Sequence, residues 1–235
     1  MTASKIIKRL RSIGTPEKAK ALSGFFKTGK GQYGEGDIFL GVMVPRQREI
    51  AKEFRDLSFV EIEKLLASPY HEARLTGLLI LTYEFEKADD GKRKEIYDFL
   101  LDHRFAMNNW DLVDVIAPKI VGEYLLSHRS ERKILRTFSK SDNLWERRIA
   151  IVSTFAFIRE GEFEDTLAIC ETVLDDKHDL IHKATGWMLR EVGKRDEKTL
   201  RTFLDRHASR MPRTMLRYAI ERLPERERKR YLRAR

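Results

Sequence analysis

The chain has 235 residues, which suits one compact domain or one short array of helical repeats. Charged residues make up 35%, against about a quarter in ordinary soluble proteins, and 46 Lys and Arg against 37 Asp and Glu leave a net charge of +9. One cysteine excludes an intrachain disulfide and a thiolate zinc site, and no apolar run approaches the roughly 20 residues that cross a bilayer. The balance predicts attraction to phosphate polymers without separating DNA, RNA or an anionic membrane; with the lone cysteine and no spanning run, the expectation is a cytoplasmic, nucleoid-associated chain with no membrane partner.

Helical periodicity runs through nearly the whole chain. Helices are expected over 4–13 and 16–27, the second opened by Thr15-Pro16 as cap and first-turn proline. The segment Gly29-Lys30-Gly31-Gln32-Tyr33-Gly34-Glu35-Gly36 then breaks the pattern. Gly29, Gly31 and Gly34 spell G-x-G-x-x-G, but a dinucleotide site needs a strand before and a helix start after, and neither is present. A glycine loop touching a phosphate backbone is the better expectation. Further helices are read over 45–55, 59–67 after Ser58, 70–87 after Ser68-Pro69, 91–103, 110–126 and 130–138. The rest fall at 142–160 after Ser141-Asp142, 163–175, 179–194 from Asp179, 197–207 after Asp196, 211–222 and 224–233, the last a solvated basic cap. So many short helices with short connections cannot make a four-helix bundle. They fit an all-α, HEAT-like helical-repeat solenoid, a single domain over 1–235 with a concave groove, which the resemblance given below makes a DNA-binding one, and no need of a partner subunit.

Some polar residues lie in apolar helical rows. One row reads Trp110, Asp114, Ala117, Val121, which sets a carboxylate one turn from an indole. Another reads Leu144, Arg148, Val152, Phe155, so Arg148 points to the core side, where it can pair with Asp114 or hold a phosphate. Trp187 is flanked by Lys183, Arg190 and Lys194, an aromatic and cationic face of the kind that meets nucleic acid. The alternatives are a helix-linking ion pair for Asp114 and interhelical packing for Trp187 with snorkelling cations. Asp114 and Arg148 are 34 residues apart, and Arg148 and Trp187 are 39 apart, each close to one two-helix repeat. Equivalent helices of successive repeats would bring them to one face. His178-Asp179-Leu180-Ile181-His182 approaches a zinc motif, but Asp179 reads as a helix N-cap and no third ligand is evident, so no metal is expected.

The strings Trp110–Asp114, Ser141–Arg148 and Lys183–Glu191, with Pro16–Ala19 and Gly41–Pro45, resemble the AlkD family of alkylpurine DNA glycosylases from about residue 5 to about 222. The resemblance implies a HEAT-like solenoid gripping duplex DNA, and excision of cationic N3- and N7-alkylated purines without metal or cofactor. It further implies that Trp110 and Trp187 flank the lesion's deoxyribose, Asp114 acts at the anomeric carbon, and Arg148 and Arg190 hold phosphates. Arg147, Lys183 and Lys194 are added here as DNA contacts. Phe25 stands where the family carries an aromatic hydroxyl.

A cationic alkylpurine leaves as a neutral base, so no second carboxyl group is needed to protonate it, unlike in most glycosidases. Asp114 would stabilise the oxocarbenium-like sugar and orient water. No lysine is placed for Schiff-base chemistry, which predicts a monofunctional glycosylase. The alternatives are a non-catalytic relative that binds bent or branched DNA, and a helical scaffold for proteins.

Overall fold

The computed structural model of the protein describes residues 1–233. No strand forms among them; the β-type pairing is an isolated parallel bridge between Ile38 and Tyr70. The fold is all-helical, as the periodicity predicts, and divides into two compact units, Met1–Leu112 and Val113–Arg235.

The first unit is built around α5 (His71–Lys87), which packs against α1 (Ala3–Ile13), α3 (Val44–Glu53), α4 (Phe59–Leu66) and α6 (Asp90–Asp102). Thirteen of its 17 residues are buried, polar ones included, because a helix surrounded on all sides has no solvent face. The outer helices are amphipathic: α1 buries Ala3, Ile6 and Leu10, and Thr2 caps it by accepting from the Lys5 amide. Two buried side chains hold the connection into α3: Gln47 Nε2 donates to the Val42 carbonyl at 2.7 Å, and Glu72 takes its amides. Glu72, fully buried on α5, accepts from the amides of Leu40 at 2.9 Å, Gly41 at 2.8 Å and Val42 at 3.2 Å. Gly41 is in the left-handed region, at φ 85°, and a Cβ there would meet the Thr15 carbonyl oxygen at 2.3 Å.

α2 (Pro16–Phe25) is opened by Thr15 and Pro16 as expected, and leads into the glycine loop. α7 (Trp110–Ile116) starts in the first unit and ends in the second. The expected helix over 110–126 is interrupted by a π-helical turn, Pro118–Gly122, before α8 (Glu123–Ser127). Pro118 lacks the amide that an α-helix uses here, and the wider turn bonds Gly122 to the Ala117 carbonyl instead.

In the second unit a 3₁₀ turn, Arg129–Arg132, precedes α9 (Lys133–Phe138). The expected helix over 142–160 is two, α10 (Leu144–Ser153) and α11 (Phe155–Arg159). At the joint, Thr154 bonds the Ile151 carbonyl with both its amide and its hydroxyl, the latter at 2.7 Å, which tightens and ends the helix. α12 (Glu164–Thr172) follows, and then α13 (Asp179–Arg195), the centre of this unit. α13 packs on α10, α11, α12, α14 (Glu197–His207) and α15 (Arg213–Ala219). It approaches α15 tightly at Gly186, where a Cβ would lie 2.4 Å from the Met215 carbonyl oxygen. The terminal α16 (Glu225–Arg233) is basic as expected but more than a solvated cap: Tyr231 is buried in the core cluster with Leu200, Phe203 and Leu216 and donates to Asp205.

Candidate functional site

Asp114 on α7 and Arg148 on α10 form a two-pronged ion pair. Arg148 Nε donates to one carboxylate oxygen and Nη2 to the other, both at 2.8 Å. Nη1 donates to the Leu180 carbonyl in the first turn of α13, at 2.5 Å. The guanidinium is thereby joined to three helices, and Arg148 is only 4% exposed. Of the two roles read from the sequence, the pairing of Arg148 with the carboxylate is the one seen in the structure. Asp114 keeps 17% of its side chain exposed. Bidentate pairing with a planar guanidinium fixes the carboxylate's plane as well as its position.

Trp187 lies two turns beyond Leu180 on α13, half-buried, with its ring 6.0 Å from that of Phe155. Gly186, its neighbour in sequence, lets α13 settle against α15. Among the cations expected beside it, Lys183 pairs with Asp179 at 2.7 Å and Lys194 with Glu191 at 2.6 Å, each about 40% exposed. Arg190 pairs with Glu221 and is more covered. Arg147 is a loop clamp: Nε donates to Asp176 at 2.6 Å and Nη1 to the carbonyls of Ser141 and Asp142. The cap of α13 is His178 and not Asp179: its Nδ1 accepts from the Leu180 amide, while Asp179, one residue on, faces Lys183. A histidine with a free ring lone pair serves as well as a carboxylate there, which the composition-based capping rule does not foresee. His182 Nε2 bonds the Asp176 carbonyl.

Trp110, at the start of α7, belongs to the first unit. Its ring stacks on Phe26 at 5.2 Å and meets the edge of Phe25 at 5.9 Å. Phe25 is 64% exposed. Phe26 stacks in turn on Phe39, and Phe39 on the His71 imidazole at 4.5 Å. His71 opens α5 and lies between two carboxylates, with Nδ1 3.0 Å from Asp37 and Nε2 2.9 Å from Asp111. Asp37 also accepts from Arg74 and from the Asn109 amide nitrogen at 3.0 Å. Asn109 then accepts from the Trp110 backbone amide at 2.9 Å, capping α7. Burial pulls the His71 pKa down, but the hydrogen bonds and charges of Asp111 and Asp37 outweigh it and raise the pKa to about 9. Burial acts upward on Asp37, yet its bonds to His71 and Asn109 and the Arg74 charge leave it below its ordinary value.

The glycine loop between Phe26 and Asp37 folds on itself. Gly29 N–H donates to the Gln32 side chain at 3.0 Å and Gly31 N–H to Glu35 at 2.7 Å. Lys27, at its start, takes the left-handed region with φ 52°. The sequence reading singled out this loop, Phe25 and Trp110, but missed what ties them together: Asp37, His71, Arg74, Asn109 and Asp111. A signal was present, since His71-Glu72-Ala73-Arg74 leads into the apolar stretch 75–83, where charged side chains are buried only with partners.

A family described as DNA alkylation repair enzyme matches residues 6–223. No curated protein sequence matches the chain. Among solved structures, a predicted DNA alkylation repair enzyme from Enterococcus faecalis is similar, with 18% identity, a TM-score of 0.72, and 90% of this chain and 97% of that one covered. AlkD2 from Streptococcus mutans is similar at 16% identity and a TM-score of 0.55, over 94% of this chain and 99% of its own. At these identities the structures speak for a shared fold.

Proposed function

Since the chain belongs to the DNA alkylation repair enzyme family, we propose that it is a monofunctional DNA glycosylase that hydrolyses the N-glycosidic bond of cationic N3- and N7-alkylated purines in duplex DNA. The observation that carries this reading is the Asp114 carboxylate, clamped in one plane by a buried Arg148 and still partly open to solvent. A leaving group that is already cationic takes the electron pair of the C1′–N bond and departs neutral, so the site needs no proton donor. What remains is positive charge on the deoxyribose and a water that adds to C1′ and gives up a proton. A fixed carboxylate serves both needs, and its preorganisation avoids the cost of reorienting a solvent dipole as charge develops.

In this reading Trp110 and Trp187 flank the deoxyribose, their ring faces adding about 0.5–2 kcal/mol of cation–π attraction each. Lys183, Lys194, Arg190 and the exposed Phe25 meet the DNA around it, and Arg147 acts through the loop it clamps. The +9 net charge supports association with a polyanion, and the protein acts as a monomer without metal or cofactor. The deciding experiment is release of free base from duplex DNA containing N7-methylguanine by the native protein and by Asp114→Asn. Release that vanishes in the variant while DNA binding persists is expected. Tight, salt-sensitive binding with no release by the native protein would move the function to DNA binding without catalysis.

A further inference from the structure

Trp110 stands in the site proposed above, yet nothing on its own short helix explains what fixes its ring. α7 has seven residues, and its first turn is held from outside. Asn109 caps it, and Asp111, the next residue after Trp110, reaches His71 on α5. The ring itself rests on Phe26, which stacks on Phe39, which stacks on the same His71. Two routes, one polar and one aromatic, thus lead from Trp110 to one imidazole.

The second carboxylate on that imidazole, Asp37, ends the glycine loop whose other end is Phe26. His71 therefore also closes the loop against the tryptophan. We propose that His71 is a positioning residue of the repair site: as an imidazolium bridging Asp37 and Asp111, it locks the Trp110 indole and the adjoining glycine loop into one arrangement. The inference rests on the proposed role of Trp110 in base release.

The charges around the imidazole explain why it must be protonated. The groups facing it are Asp37 from the loop, Asp111 from α7 and Arg74 from its own helix, with Asn109 neutral and Phe26 and Phe39 apolar. Asp37 already faces Arg74, whereas Asp111 has no charged partner in this group but His71. A neutral imidazole carries one N–H and can donate to only one of the two carboxylates. The other would then be left buried against a lone pair, at the cost of an unsatisfied charge. His71 is 2% exposed and its pKa is held at about 9, so the bridge persists at neutral pH and opens in alkali.

The test uses the full chain labelled with 5-fluorotryptophan, its three fluorine resonances assigned by single Trp→Phe variants. Between about pH 7 and about pH 10.5 the Trp110 resonance is expected to move with a midpoint near 9, while those of Trp145 and Trp187 stay in place. In His71→Gln the Trp110 resonance should be shifted or broadened at neutral pH and should lose that titration. A Trp110 resonance that is native-like at neutral pH in His71→Gln, or that still titrates there, overturns the proposal. If His71→Gln does not fold, Asp111→Asn keeps the shape and removes one charge. It should lower the Trp110 midpoint by about one unit, and an unchanged midpoint overturns the proposal equally. On N7-methylguanine duplex, single-turnover release by His71→Gln should fall about tenfold with DNA affinity within about threefold of native; unchanged release, or a loss confined to affinity, contradicts a positioning role. Should the native protein release no base, the glycosylase reading fails while the fluorine spectra still decide the role of His71.

Discussion

Each unit holds an aspartate against an arginine, and the two are held differently. In the first, Asp37 is sealed: His71, Arg74 and Asn109 all donate to it, and 2% of its side chain is exposed. In the second, Asp114 is clamped by both prongs of Arg148 and keeps 17% of its side chain exposed. Both carboxylates are oriented by a guanidinium, and of the two the second is the more exposed. Immobility with closure serves the architecture, whereas immobility with an open edge is what electrostatic catalysis requires.

The comparison can be broken most decisively at Asp114. Asparagine there keeps the shape and removes the charge, and single-turnover base release is expected to fall by about 10²–10³, with DNA affinity retained. Asp37→Asn should leave the rate far less affected; equal losses would erase the distinction drawn here. Next in size is Arg148→Ala, which removes the clamp from Asp114 and the bond to the Leu180 carbonyl and should cost about 3 kcal/mol in urea unfolding. Arg148→Lys keeps the charge but not the fork, and should recover part of the stability while release stays depressed.

The sealed cluster has its own signature in pH. The His71 pKa is raised from an ordinary value near 6.5 to about 9, so its stabilisation is complete below about pH 6.5 and is lost as pH rises through 9. The loss should amount to roughly 3 kcal/mol between those limits, and His71→Gln should flatten the profile. Asp37, shifted downward, acts at the other end: its contribution is present above the ordinary carboxylate range and lost as pH falls. The smallest effect is expected at Gly186→Ala, where the added methyl meets the Met215 backbone. It should cost about 1–3 kcal/mol and displace Trp187, read as a tilt in its near-ultraviolet signal.

The helices were legible because their signals are local. Thr15-Pro16 and Asp196 cap where expected, and the periodic rows run inward as read. What was not legible were the breaks at Pro118 and Thr154, where a hydrogen bond shifts by one carbonyl without disturbing the apolar period. Asp114 and Arg148 were found because a charge in an apolar row is anomalous within its own helix. Asp37, His71 and Asp111 escaped because each looks ordinary locally: a loop acid, a histidine at a helix start, and a first-turn aspartate. Their meaning arises only when residues 34 and 40 positions apart are brought into contact, which no window of sequence displays.

The Glu72 carboxylate has a consequence for how the first unit opens. By taking the amides of Leu40, Gly41 and Val42, it makes an irregular stretch of chain cooperative with α5, the most enclosed helix in that unit. Those amides cannot be released by local fraying, since freeing them means withdrawing a charge seated at the base of α5. Their exchange with deuterium should therefore keep pace with the slowest amides of α5, giving a loop the protection of the core it borders.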